Sequence, residues 1–201
     1  MDHPTTHIDL LRHGEPEGGA RFRGSVDDPL SAAGWAQLRA ATAGDAWDRI
    51  VCSPLRRCQA FAQALADELG TPYRVEPGFR EISFGLWEGL TAAQVQAEYG
   101  AALARFWQDP VAHPPPQGEP VAEFAARVDA AWQQLLREVR GERVLVVAHG
   151  GTIAMILRGV LGMPLSHSWR VRLSYAARAR LRLDHTPDGT LAALLGLSQG
   201  A

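Results

Sequence analysis

Lysine and asparagine are both absent from this 201-residue chain, in which all 20 basic residues are arginine and 22 residues are acidic. A chain without a lysine amine is neither a P-loop nucleotide hydrolase nor a Schiff-base enzyme. Without asparagine it has no N-glycosylation acceptor. Cysteine is scarce: Cys52 and Cys58 are too few for a disulfide framework and lack the paired spacing of a structural zinc site. No apolar run approaches the roughly 18 residues of a membrane helix. Met1 to His7 shows neither the basic start nor the apolar stretch of a secretory leader. The net charge of −2 leaves no basic excess for nucleic acid or an anionic membrane. One soluble, cytoplasmic globular domain over 1–201 is therefore expected, with no nucleic-acid or membrane partner. Composition does not bear on oligomeric state.

The apolar runs alternate in type along the chain. Ile8–Leu11, Arg49–Cys52, Tyr73–Val75 and Val144–Ala148 read as short strands, each followed by glycine, proline or serine. Between them, Leu38 and its neighbours after an N-capping Ser31, the series from Leu55 to Leu69, and Val121 to Val139 recur at helical spacing. Strands alternating with helices predict an α/β three-layer sandwich, a mostly parallel central sheet with helices on both faces. The alternation Ala179–Leu183, the Asp188-Gly189 turn and the apolar Leu191–Leu197 predict a closing hairpin. Residues from about 88 to 120 carry an Ala-rich helix and the His113-Pro114-Pro115-Pro116 break, and read as an inserted lid.

Two of the seven histidines stand where a strand meets glycine: His13 in Arg12-His13-Gly14-Glu15 and His149 in Ala148-His149-Gly150-Gly151. Ligands of parallel sheets bind beyond the carboxyl ends of the strands, and glycine lets the backbone approach them. Gly150 is a candidate on that ground. A third strand end places Arg56 and Arg57 in the first turn of a helix, where the macrodipole opposes cations and a bound anion would justify one of them. Leu55 and Cys58 share the buried face, so periodicity leaves the choice between the two arginines open. Glu81 and Glu88 are both candidates for a general acid, since like charge and desolvation keep a carboxyl beside a phosphoryl group protonated.

Arg12-His13-Gly14-Glu15, Pro29-Leu30-Ser31-Ala32-Ala33-Gly34, Ser53-Pro54-Leu55-Arg56-Arg57, Glu81 with Phe84-Gly85-Leu86-Trp87-Glu88-Gly89, and Ala148-His149-Gly150 together resemble the histidine phosphatase (phosphoglycerate mutase-like) superfamily. Within it the run Phe84–Glu88, Gly162-Met163-Pro164 and Ser168-Trp169 resemble the alpha-ribazole phosphatases of cobalamin biosynthesis. The resemblance implies a phosphomonoester hydrolase that works through a phosphohistidine at His13. It implies Arg12, Arg57 and His149 as phosphate-binding groups, Glu81 as proton donor and Glu15 as an aid to the nucleophile. Arginine supplies the positive charge, so no metal and no cofactor are expected, and the partner is a small phosphomonoester. Aromatic residues of the lid, Phe106, Trp107 or Trp169, would stack on an aromatic leaving group. The chain also departs from the pattern. Pro16-Glu17-Gly18-Gly19 stands where many relatives place asparagine, and Phe61 where threonine is usual. Arg21 or Arg23 is a candidate for the missing contact. A mutase, a broad-specificity phosphatase and a non-catalytic phosphate-binding module are the competing readings.

Overall fold

A computed structural model describes residues 4–187 and 189–200. Asp188 of the predicted turn lies outside the described residues. Six strands form one sheet in the order β3-β2-β4-β1-β5-β6: β1 (Thr5–Arg12), β2 (Arg49–Cys52), β3 (Tyr73–Val75), β4 (Arg143–Ala148), β5 (Arg178–Thr186) and β6 (Gly189–Ser198). The first four run parallel, whereas β5 is antiparallel to β1 and β6 to β5. The predicted hairpin is thus the antiparallel margin of a mostly parallel sheet.

The period-two alternation of β1 and β4 divides the core. Leu11, Leu145 and Val147 pack with α1 (Ala32–Thr42) and α2 (Arg56–Leu69) on one face. Ile8, Leu10, Val144 and Val146 pack with α3 (Ala92–Gln108), α4 (Val121–Glu138) and α5 (Gly150–Val160) on the other. Buried on both faces, the central strands have the continuous apolar character seen in the sequence. Ser31 caps α1, its hydroxyl accepting from Gly34 N at 3.0 Å, and Gly70 ends α2 in the left-handed region at φ 65°.

The segment 88–120 holds α3, which starts on a Thr91 capping box and is interrupted at Tyr99. Val95, Leu103 and Phe106 anchor it in the core. Among the described residues no helix is long and apolar enough to cross a membrane.

Candidate active site

The strand order brings three carboxyl ends side by side, because β4 lies between β2 and β1. The next residues are Ser53, His149 and His13, and backbone bonds continue the pairing there: His13 N donates to Ala148 O and Ser53 N to Val147 O. The two histidine rings stand edge to face, 5.2 Å between centroids. Two glycines permit the tight turn after β1. A Cβ on Gly14 would sit 2.1 Å from Gly34 O, and one on Gly34 would sit 2.1 Å from Glu15 O. The first two sequence motifs are therefore packed backbone against backbone.

His13 Nδ1 lies 2.7 Å from Gly14 O. A carbonyl only accepts, so the proton is on Nδ1 and Nε2 keeps its lone pair. Burial, then Arg57 and Arg12, hold the His13 imidazole well below its ordinary pKa. It is a neutral base in a cationic setting.

His13 lines a cavity of about 180 Å³ together with Arg12, Arg21, Phe22, Arg23, Gly24, Arg57, Glu81, Phe84 and Tyr175. Arg57 is 1% exposed, its guanidinium donating to Val26 O at 2.7 Å and Gly24 O at 3.0 Å. Arg56 is exposed, and its backbone amide is capped by Asp27 at 2.7 Å. The structure thereby separates the two arginines that periodicity left equivalent. Arg12 donates to the Leu173 carbonyl and lies over the Tyr175 ring, 4.4 Å from its centroid. Among the described residues Arg12 Nε and Arg57 Nε are buried without a hydrogen-bond partner, which leaves them donors for a ligand in the cavity.

Glu81 and Glu88 are separated in the same way. Glu81 lines the cavity, its carboxylate accepting from Gly151 N, in the first turn of α5, and from Ile82 N, both at 3.0 Å. Glu88 instead accepts from Ser25 N, Ser25 Oγ, Ser83 Oγ and Phe84 N within 3.0 Å, and ties two loops together.

Three expected residues sit differently. His149 is fully buried behind His13 and not on the cavity wall; its Nε2 is 2.6 Å from Ser53 Oγ, and Cys58 Sγ lies 3.6 Å from the same nitrogen. Burial, followed by Arg57, His13 and Arg12, pushes its pKa well down. Glu15 meets its neighbours through its backbone, with Gln37 and Ser31, and among the described residues its carboxylate makes no hydrogen bond. A Cβ on Gly150 would make only ordinary contact with Arg12, 3.5 Å away, whereas one on Gly151 would sit 2.4 Å from Glu81 Oε1. The demand for glycine falls one residue later than expected.

The lid aromatics are also elsewhere. Phe106 packs against Trp87, Trp107 and Trp169, and with Trp107 and Trp169 it lines a cleft of about 640 Å³ that contains none of the cavity residues above. The rings on the cavity are Phe22, Phe84 and Tyr175. Tyr175 precedes Ala176, a non-glycine residue at φ 55° whose amide donates to His13 O. It lies between regular elements, so no period pointed to it. Ser53 stood inside a recognised motif, and only its bond to His149 went unread.

Residues 8–193 match the histidine phosphatase superfamily (branch 1). The chain belongs to this superfamily. It is 30% identical to the putative phosphoserine phosphatase 2 of Hydrogenobacter thermophilus, over 87% of this chain and 88% of that one. It is 29% identical to the adenosylcobalamin/alpha-ribazole phosphatase of Escherichia coli, over 82% and 83%. Other relatives at similar identity are named as phosphoglycerate mutases. Among solved structures, a mycobacterial glucosyl-3-phosphoglycerate phosphatase in complex with VO3 superposes with a TM-score of 0.84 at 28% identity, covering 96% of this chain and 99% of that chain. The fold is that of these histidine phosphatases.

Proposed function

We propose that the protein hydrolyses small phosphomonoesters through a phosphohistidine on His13. The observation that carries this reading is the fixed tautomer: Nδ1 is spent on Gly14 O, which leaves Nε2 as the nucleophile in a cavity walled by Arg12, Arg57 and Glu81. Nε2 attacks phosphorus while the two guanidiniums stabilise charge on the equatorial oxygens. The P–O bond to the leaving group breaks, and Glu81 gives the departing alkoxide its proton. The carboxylate so formed takes a proton from water, the hydroxide attacks the phosphohistidine, and His13 leaves with its electron pair. His149, edge-on to His13 and held by Ser53, closes the rear of the cup as a positioning residue. The segment 88–120 is the lid over this single domain.

Alpha-ribazole 5′-phosphate comes first among the substrates to be tried, on the 29% identity to the E. coli enzyme and the resemblance of Phe84–Glu88. The test is a kinetic panel of alpha-ribazole 5′-phosphate, phosphoserine, glucosyl-3-phosphoglycerate and 3-phosphoglycerate, with acid-labile, base-stable phosphate mapped on the protein. Label on His13, with turnover lost by about 10⁴-fold or more in His13→Ala, is the expected result. Interconversion of 3- and 2-phosphoglycerate outrunning phosphate release would establish a mutase instead. A better simple phosphate by orders of magnitude would remove the cobalamin assignment. Binding without turnover or label would leave a phosphate-binding module.

A further inference from the structure

Two arginines stand close to the position from which the usual asparagine is missing, and the structure treats them differently. Arg21 is exposed, with Nε on Gly18 O and Nη1 on Gly89 O, both at 2.8 Å. Arg23 is 6% exposed. Its Nε meets Asp28 Oδ2 at 2.9 Å and its Nη2 donates to the Glu17 carbonyl. The third nitrogen, Nη1, is buried and has no partner among the described residues, although the side chain lines the same cavity as His13, Arg12 and Arg57. Unpartnered guanidinium nitrogens occur elsewhere, at Arg74, Arg158 and Arg178. What distinguishes Arg23 is that its free donor belongs to a side chain on the wall of the reaction cavity.

We infer that Arg23 is a third phosphoryl-binding guanidinium, oriented by Asp28 and the Glu17 carbonyl and offering Nη1 to an equatorial oxygen of the transferred group. Three observations support it, resting on the reading of the cavity as a phosphoryl cup. A buried charged donor left unpaired is costly, and an oxyanion ligand satisfies it. Arg23 is one of the cations that lower the His13 pKa, after burial, Arg57 and Arg12, so its charge acts at the nucleophile. A cavity of about 180 Å³ gives room for one phosphoryl group and the first atoms of the leaving group, which places a donor on its wall within the phosphoryl's own surroundings. Asp28 is the positioning partner, with 37% of its side chain exposed. The planar fork matters here, because a lysine-type point charge could serve Asp28 or the phosphoryl group but not both. Asparagine is thus replaced by a longer cationic donor reaching in from further along the loop.

The experiment is calorimetric binding of inorganic phosphate and vanadate, beside hydrolysis of p-nitrophenyl phosphate, in wild type, Arg23→Gln, Arg23→Lys, Asp28→Asn and Arg56→Gln. Arg23→Gln should weaken phosphate binding by about ten- to a hundredfold, the value of a hydrogen bond to a charged group, and raise KM in step. Arg23→Lys should recover only part of this, Asp28→Asn should lie between, and Arg56→Gln should match wild type. Arg21→Gln should cost at least tenfold less than Arg23→Gln. If Arg23→Gln fails to fold, the Lys and Asp28→Asn variants carry the same comparison. Unchanged phosphate affinity in the Arg23 variants overturns the inference. So does a loss confined to substrates with a second anionic group, which would make Arg23 a leaving-group contact. Wild type that binds phosphate without forming phosphohistidine sinks the proposed mechanism and leaves the Arg23 result standing. Wild type that binds neither anion sinks both.

Discussion

Arg57 and Arg178 are equally hidden from water, 1% and 5% exposed, yet their surroundings are opposite in kind. Arg178 is held by Asp9 Oδ2 at 2.7 Å and Asp45 Oδ2 at 2.6 Å, and Asp9 also accepts from Trp47 Nε1 at 2.8 Å. Two carboxylates and an indole enclose one guanidinium, and its charge is cancelled inside the fold. Among the described residues Arg57 donates only to the carbonyls of Gly24 and Val26, which fix its direction without neutralising it. The cavity it lines holds three further arginines, Arg12, Arg21 and Arg23, against one carboxylate, Glu81. A scaffold closes its buried charges on themselves, whereas a site for an anion leaves them open and accepts the lost stability.

The comparison is broken most directly by Arg57→Ala, which should lower kcat/KM on p-nitrophenyl phosphate by about 10² to 10³-fold, as loss of a donor to developing charge does. Arg56→Ala should stay within about twofold, as a surface change. Equal losses would mean that burial does not identify the working arginine. On the scaffold side, Asp9→Ala leaves Arg178 with Asp45 and the Ala41 carbonyl and one carboxylate fewer, and should cost about 3 kcal/mol in urea unfolding. Its kcat/KM per folded molecule should match wild type. If Asp9→Ala damages catalysis as Arg57→Ala does, the two arginine clusters are not separate devices.

The two glutamates sharpen the same contrast at smaller scale. Glu81→Gln should lower kcat/KM, which reports phosphorylation of His13, by about a hundredfold on alkyl phosphates and much less on p-nitrophenyl phosphate, because a good leaving group needs no proton. Glu88→Gln keeps the shape but turns an acceptor of four hydrogen bonds into one of fewer, and should cost about 1–2 kcal/mol of stability. Its effect on rate should be indifferent to the leaving group. The ratio of rates on the two substrate types in each variant is the measurement. A leaving-group dependence at Glu88 rather than Glu81 would reassign the acid.

Much of this was legible in the residues because His13, His149 and Ser53 each directly follow a strand. Apolar run, histidine and glycine together fix a strand end, and the parallel order of β1, β2 and β4 does the rest. What the pattern could not resolve were choices between neighbours. Arg56 and Arg57 flank a face whose orientation depends on how α2 docks, and Gly150 and Gly151 differ only in which one meets Glu81. Tyr175 was invisible because the segment before β5 has no period to read. The lid aromatics were misplaced for a different reason. Phe106 is a large apolar ring at an insertion, and burying it in the core against Trp87 and Trp169 is worth more than holding it open for a ligand.

Uncompensated charge should finally show in the pH profile. Burial, Arg57 and Arg12 disfavour protonation of His13 in the folded protein, so the acid limb of kcat/KM should lie below the ordinary imidazole value of about 6.5. Arg57→Gln removes a cation from the nucleophile's surroundings and should move that limb upward, while Asp9→Ala, at the closed cluster, should leave it in place. Stability follows the same sign. Below about pH 6.5 the unfolded chain binds protons that folded His13 and His149 refuse, so acid favours unfolding until the lowered folded values are reached. Urea unfolding at pH 7 and pH 5 should show this loss in wild type and a smaller one in His149→Gln. A limb at the ordinary imidazole value, unmoved by Arg57→Gln, would show that the guanidiniums do not act on His13, and the contrast between open and closed charge would lose its catalytic meaning.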